Sequence, residues 1–234
     1  MSLLIIKNIT HEGPGILEKI IAKRKINTKI VDLSSGDGIP EIAGYRAIVV
    51  LGGPQSAIDN SSHMNELLSF VRATIYKGIP YLGICLGMQV LAKSAGAEVF
   101  SANSKEVGWR SESGESYKVH LTGDGLNDRL FHSIFFPARI FHLHSETISC
   151  VKGISLLAEG SECVSQIIRV GKTAYGIQGH FELTKEMMLD WHEKDSDLNH
   201  ISREELIVDF EKVKVEYLAL GEKLFENFLT IAGF

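Results

Sequence analysis

Over its first hundred residues the chain alternates short strand-like runs with amphipathic stretches, and this alternation restricts the possible folds most. Leu3–Ile6, Lys29–Leu33, Ala47–Leu51 and Ile79–Ile84 have the length and composition of strands. A run apolar at every position, such as Ala47-Ile48-Val49-Val50-Leu51, suits a strand covered on both faces. Between the runs, Pro14-Gly15 opens a helical pattern through Ile16, Leu17, Ile20 and Ile21. Met64–Tyr76 carries Leu67, Leu68, Val71 and Ile75 at helical spacing, and Leu86–Ala95 reads as the helix after the fourth strand. Such alternation predicts an α/β fold, a doubly wound and mostly parallel sheet with helices on both faces.

From about Glu115 the texture changes. Tyr117–Leu121, Ile140–Leu143, Ser155–Ala158, Ser165–Val170 and Thr173–Ile177 read as strands joined by polar turns, without long helices between them. They either extend the sheet or form a small antiparallel layer. After His180 the chain turns helical again, through Thr184–His192, Ser202–Phe210 and a longer run to Phe228. Ser202 with Glu205 three residues on is a capping-box signature. At 234 residues, one domain is expected over residues 1–193, with residues 194–234 a C-terminal helical extension packed on it.

Composition narrows the function. With 24 basic against 29 acidic residues there is no positive excess to neutralise a phosphate backbone, so no nucleic-acid partner is expected. No apolar stretch reaches the roughly 18 residues of a membrane span, and the run at Leu3–Ile6 is too short for a signal peptide. Cys85, Cys150 and Cys163 are odd in number and widely spaced, which argues for free thiols and a cytoplasmic setting.

One of those cysteines stands apart. In Gly83-Ile84-Cys85-Leu86-Gly87 it lies between glycines, directly after a strand and before a helix. This is the nucleophile-elbow context, with cysteine where hydrolases use serine. A nucleophile there needs a tight turn at the strand's carboxyl end, and side chains at the flanking positions would strike the neighbouring strand and helix. A sulfur at a helix N-terminus also meets the positive end of the dipole, where thiolate is favoured. The competing reading is a buried structural cysteine with accidental glycine neighbours. Cys150 and Cys163 lack the elbow and read as packing residues.

Two further segments can complete a site. Gly52-Gly53-Pro54 follows the Ala47–Leu51 strand, where backbone N–H groups can point into a ligand crevice and, with the Leu86 N–H, form an oxyanion hole; the alternative is a plain turn. His180, just past a strand in Gly179-His180-Phe181-Glu182, can act as general base with Glu182 as its orienter. His142, His144 and Glu146 also suggest a metal site, because residues i and i+2 of a strand share a face. No compelling further ligand is evident, so a substrate loop or surface strand is the better reading and no metal is expected.

Gly83–Gln89, Gly52-Gly53-Pro54 and His180-Phe181-Glu182 together resemble the class I (triad) glutamine amidotransferases, closest to the glutaminase portion of the GMP synthases and their stand-alone relatives. The likeness covers roughly residues 40–190. It implies a flavodoxin-like sheet in which Cys85 is the nucleophile, His180 the general acid/base and Glu182 its orienting carboxylate. It implies that Gly53 and Leu86 supply the oxyanion donors. Gly52, Gln89, His144 and Ser145 would hold the substrate, with Glu106-Val107-Gly108-Trp109 near the glutamine pocket. The family carries glycine and aspartate where Ser145 and Glu146 stand here. The implied substrate is glutamine, the implied partner a separate ATP-dependent synthetase, and no cofactor is implied. An independent γ-glutamyl peptide or amide hydrolase and a non-catalytic regulatory module of the same fold are the alternatives.

Overall fold

The computed structural model describes residues 2–234. In chain order the elements are β1 (Ser2–Lys7), α1 (Ile16–Arg24), β2 (Thr28–Asp32), β3 (Tyr45–Val50), α2 (Ser62–Tyr76), β4 (Tyr81–Ile84) and α3 (Leu86–Ser94). The second half adds β5 (Val99–Gly108), β6 (Lys118–Leu121), β7 (Ala138–Arg139), β8 (His142–Ile148), β9 (Ile154–Glu159), β10 (Ile167–Val170), β11 (Ala174–Ile177), α4 (Lys185–Lys194) and α5 (Arg203–Ile231).

Nine strands form one sheet in the order β2-β1-β3-β4-β11-β10-β9-β6-β7. The first five are mutually parallel and the remainder pair antiparallel. Strand alternation sends side chains to opposite faces, so Leu3, Ile5 and Val49 face a core closed by α1, α4 and α5. Leu4, Ile6 and Val50 face a second core closed by α2 and α3. The sheet is thus doubly wound, as the apolar runs predict, and flavodoxin-like, as the family resemblance implies.

Of the two placements open for the later strands, both occur. β6, β9 and β10 extend the main sheet, while β8 pairs with β5 in a separate two-stranded antiparallel sheet. The strand expected at Ile140–Leu143 instead begins at His142 and runs to Ile148. β5 has no counterpart among the strands the sequence predicts. Only its ends are buried and its middle is polar, so Val99–Gly108 carries no apolar period.

The helical tail is one 29-residue helix rather than two. Its N-terminus carries the expected capping box: the Ser202 hydroxyl accepts from the Glu205 N–H at 3.2 Å, and Glu205 Oε2 accepts from the Ser202 N–H at 2.9 Å. Phe210, Tyr217, Phe225 and Phe228 of α5 enter the same core as Phe181 and Trp191. Gly221 lets the helix approach closely, since a Cβ there would stand 2.5 Å from the Phe181 carbonyl oxygen. Among the described residues no helix is long and apolar enough to cross a membrane.

Candidate active site

The corner after β4 takes the form its glycines imply. Cys85 has φ +50° and ψ −108°, a conformation costing a non-glycine residue about 1–3 kcal/mol, and it caps the N-terminus of α3. Its N–H donates to the Ile177 carbonyl at 2.8 Å, and its own carbonyl accepts from the Met88 and Gln89 N–H groups at 2.9 and 3.1 Å. A Cβ on Gly83 would lie 2.3 Å from the Gly87 carbonyl, and one on Gly87 would lie 2.2 Å from the Val50 oxygen. Only glycine at both positions lets α3 start this close to β3 and β4. Leu86, the first helical residue, has an N–H that no intrahelical carbonyl can reach.

The histidine arrives from the neighbouring strand. β11 lies parallel to β4 with Ile177 opposite Ile84, so the chain leaves the sheet beside Cys85. His180 Nδ1 lies 2.6 Å from Glu182 Oε1, and both side chains are buried. The Trp191 ring stands edge-on to the imidazole at 4.9 Å. From α5, the Tyr217 hydroxyl donates to the His180 carbonyl at 2.9 Å and accepts from the Leu183 N–H at 3.1 Å. Burial works to lower the proton affinity of His180, but the Glu182 carboxylate and the adjacent Cys85 side chain outweigh it and raise it well above the ordinary value. An imidazolium is therefore favoured within reach of the sulfur.

Gly52 closes the other side. A Cβ there would lie 3.3 Å from His180 Cε1 and 3.5 Å from Cys85 Cβ. A Cβ on Gly53 would strike Gln55 Oε1 at 2.5 Å and Asn8 Cβ at 2.7 Å. Asn8 Nδ2 donates to the Leu51 carbonyl at 2.8 Å and Gln55 Nε2 to the Asn8 carbonyl at 3.0 Å, which ties the glycine turn to the loop after β1.

Gln89, buried on α3, donates through Nε2 toward the Glu146 carbonyl at 3.4 Å and Gln178 Oε1 at 3.5 Å. The segment read as a substrate loop or surface strand is strand β8, and it is braced from behind. His144 Nε2 lies 2.9 Å from Glu106 Oε2 and 3.1 Å from His142 Nδ1, while His144 Nδ1 lies 3.2 Å from the Glu146 carbonyl. Both ring nitrogens of His144 are thus engaged within the fold, whereas Ser145 is exposed. Glu106 also accepts from Gln166 Nε2 at 3.0 Å and from the Cys163 N–H at 3.3 Å. Burial foremost lowers His142 to about 3. Glu106 itself is lowered despite burial, through its contacts with His144 and His142.

The third member of this histidine cluster is therefore Glu106, not Glu146, whose carboxylate turns to the Ser56 hydroxyl. Glu106, His142 and His144 present ligand atoms within 4.8 Å of one another, but those atoms already hydrogen-bond among themselves. Cys163 is buried as expected. Cys150, expected to be packed, is exposed because it follows the end of β8.

Three neighbours of the site escape the sequence patterns. Gln178, whose Nε2 approaches the Cys85 sulfur at 3.8 Å, is marked only by its place two residues before His180. Tyr217 belongs to a distant helix. Glu12 lies in the loop between β1 and α1, with Oε2 2.4 Å from where a Gly52 Cβ would be.

A family model described as "Glutamine amidotransferase class-I" matches residues 15–189. The chain belongs to the class-I glutamine amidotransferase family. Among the relatives of this amidotransferase chain, the glutamine amidotransferase-like protein YfeJ of Salmonella typhimurium is 30% identical over 162 residues, 65% of this chain and 63% of YfeJ. One subunit of the glutamine-hydrolysing GMP synthase of Sulfurisphaera tokodaii is 30% identical over 141 residues, 59% of this chain and 68% of that relative. A glutamine amidotransferase from Thermotoga maritima superposes with a TM-score of 0.83 at 25% identity, covering 98% of each chain. The matched stretch thus spans less than two thirds of YfeJ's length.

Proposed function

We propose that the chain hydrolyses the side-chain amide of glutamine through a cysteinyl thioester. The observation that carries this is the Cys85 corner at positive φ, set beside a buried His180 that is held 2.6 Å from Glu182. The Cys85 sulfur attacks the amide carbon, and the oxyanion is met by the Gly53 and Leu86 N–H groups. As the C–N bond breaks, His180 passes its proton to departing ammonia and leaves a glutamyl thioester. Water, deprotonated by His180, then releases glutamate and returns the sulfur. Gln89, Gly52 and strand β8 around His144 and Ser145 hold the amino-acid end of the substrate.

A separate ATP-dependent synthetase is the proposed ammonia acceptor, supported by the naming of one relative as part of a GMP synthase. The setting proposed is cytoplasmic. Residues 194–234 are proposed to form one unit with residues 1–193, supported by the Tyr217 contact to His180. The purified chain is expected to release ammonia from glutamine, and Cys85→Ala to abolish release. A glutamine-analogue electrophile should add mass at Cys85 alone. Ammonia release unaffected by Cys85→Ala would remove the nucleophile assignment, and much faster turnover of γ-glutamyl dipeptides would select the hydrolase reading.

A further inference from the structure

Glu12 has no part in the steps above, yet its carboxyl group lies inside the site. The residue is 8% exposed, and its Oε2 is buried without a hydrogen-bond partner among the described residues. An unsatisfied buried oxygen destabilises the fold, so a native fold keeps one where something uses it. The loop that carries it is pinned. The Ile16 N–H donates to the Glu182 carbonyl at 2.8 Å, and Trp191 Nε1 donates to the His11 carbonyl at 3.3 Å. Gly15, at φ +54°, packs so tightly that a Cβ would stand 2.0 Å from the Glu182 oxygen. Across the bare face of Gly52, one point lies 2.4 Å from Glu12 Oε2, 3.3 Å from His180 Cε1 and 3.5 Å from Cys85 Cβ.

Four groups act on or border the carboxyl: His180 and Glu182 from the segment after β11, Asp195 at the end of α4, and Cys85 at the elbow. Burial foremost, then the negative charges of Glu182 and Asp195, raise Glu12 to about 7 against the opposite pull of His180. The group therefore changes charge in the neutral range.

We propose that Glu12 is a positioning residue acting through His180: facing it across Gly52, its carboxyl group sets the pH range over which the imidazole holds the proton given to departing ammonia. This rests on the reading of Cys85, His180 and Glu182 as the reacting groups. Below its own ionisation Glu12 is neutral and leaves His180 alone. Above it, the carboxylate favours imidazolium and lets His180 keep its proton to higher pH. A unit charge about 6 Å away in a partly screened site shifts a neighbour by about one to two pH units.

The test follows the His180 Cε1–H resonance of the histidine-labelled full chain against pH, for the wild type, Glu12→Gln and Glu12→Asp. The wild type is expected to show an inflection near pH 7 shared with the Glu12 carboxyl carbon. In Glu12→Gln that inflection disappears and the His180 midpoint falls by about one pH unit or more, while Glu12→Asp keeps a coupled inflection. In glutamine hydrolysis the alkaline limb of kcat/KM falls by the same amount and the acid limb stays in place; a purely structural role lowers the whole profile without moving a limb.

An unchanged His180 curve in Glu12→Gln overturns the proposal. So does a wild-type Glu12 carbon titrating near 4.5, a measurement needing no variant to fold. A responding His180 in a chain that never hydrolyses glutamine instead removes the catalytic reading and leaves the electrostatic coupling standing.

Discussion

Removal of one oxygen from α5 tests how the helical tail supports the site. Tyr217 is 1% exposed, and its ring packs edge-on against Trp109 at 5.0 Å. Tyr217→Phe keeps that ring but leaves the His180 carbonyl and the Leu183 N–H without their shared hydroxyl. Leu183 is fully buried, so water has no ready access to replace it. Each orphaned backbone group costs about 1–3 kcal/mol, and together they should cost about 2–6 kcal/mol. For a chain of this size that lowers Tm by about 4–24 °C. Urea and thermal unfolding measure the loss, and hydrogen exchange at the Leu183 amide reports whether it is local. Glutamine hydrolysis should fall as His180 loses its backbone anchor. A stability change under about 0.5 kcal/mol with unchanged Leu183 protection would show that the hydroxyl does not hold this segment.

Gly87→Ala, which drives a Cβ to 2.2 Å from the Val50 oxygen, should cost about 1–3 kcal/mol or more and slow alkylation of Cys85. Its urea midpoint and labelling rate are the measurements, and wild-type values for both would refute the close-approach argument. Glu12→Gln should change stability in a pH-dependent way. Folding raises the Glu12 carboxyl from 4.5 to about 7, so the native state carries a penalty that is absent below pH 4.5 and complete above about pH 7. The variant should therefore gain about 3 kcal/mol over wild type at pH 8 and nothing at pH 4.5, as read from paired urea titrations. An equal difference at both pH values would count against the perturbed carboxyl.

The features legible in the chain are those whose physical cause is short-ranged. The apolar run Ala47–Leu51 needs two covered faces wherever it is placed, and Gly83 announces a crowded corner because its clash with Gly87 lies within one strand-turn-helix unit, whereas the clash at Gly87 is with Val50 of the neighbouring β3. Glu182 can reach His180 because only one residue separates them, and Ser202 with Glu205 caps its own helix. What stayed hidden depends on strand order and on which loops meet above it. Placing β11 against β4 brings Gln178 and His180 to Cys85, and pairing β5 with β8 joins Glu106 to His142 and His144. Folding the loop after β1 under Gly52 turns Glu12, an ordinary surface residue by type, into a buried ionisable neighbour of the imidazole. The chain thus determined by itself which side chains could react. Their charges, braces and neighbours were decided by tertiary structure, because burial and proximity across the sheet belong to no local stretch of sequence.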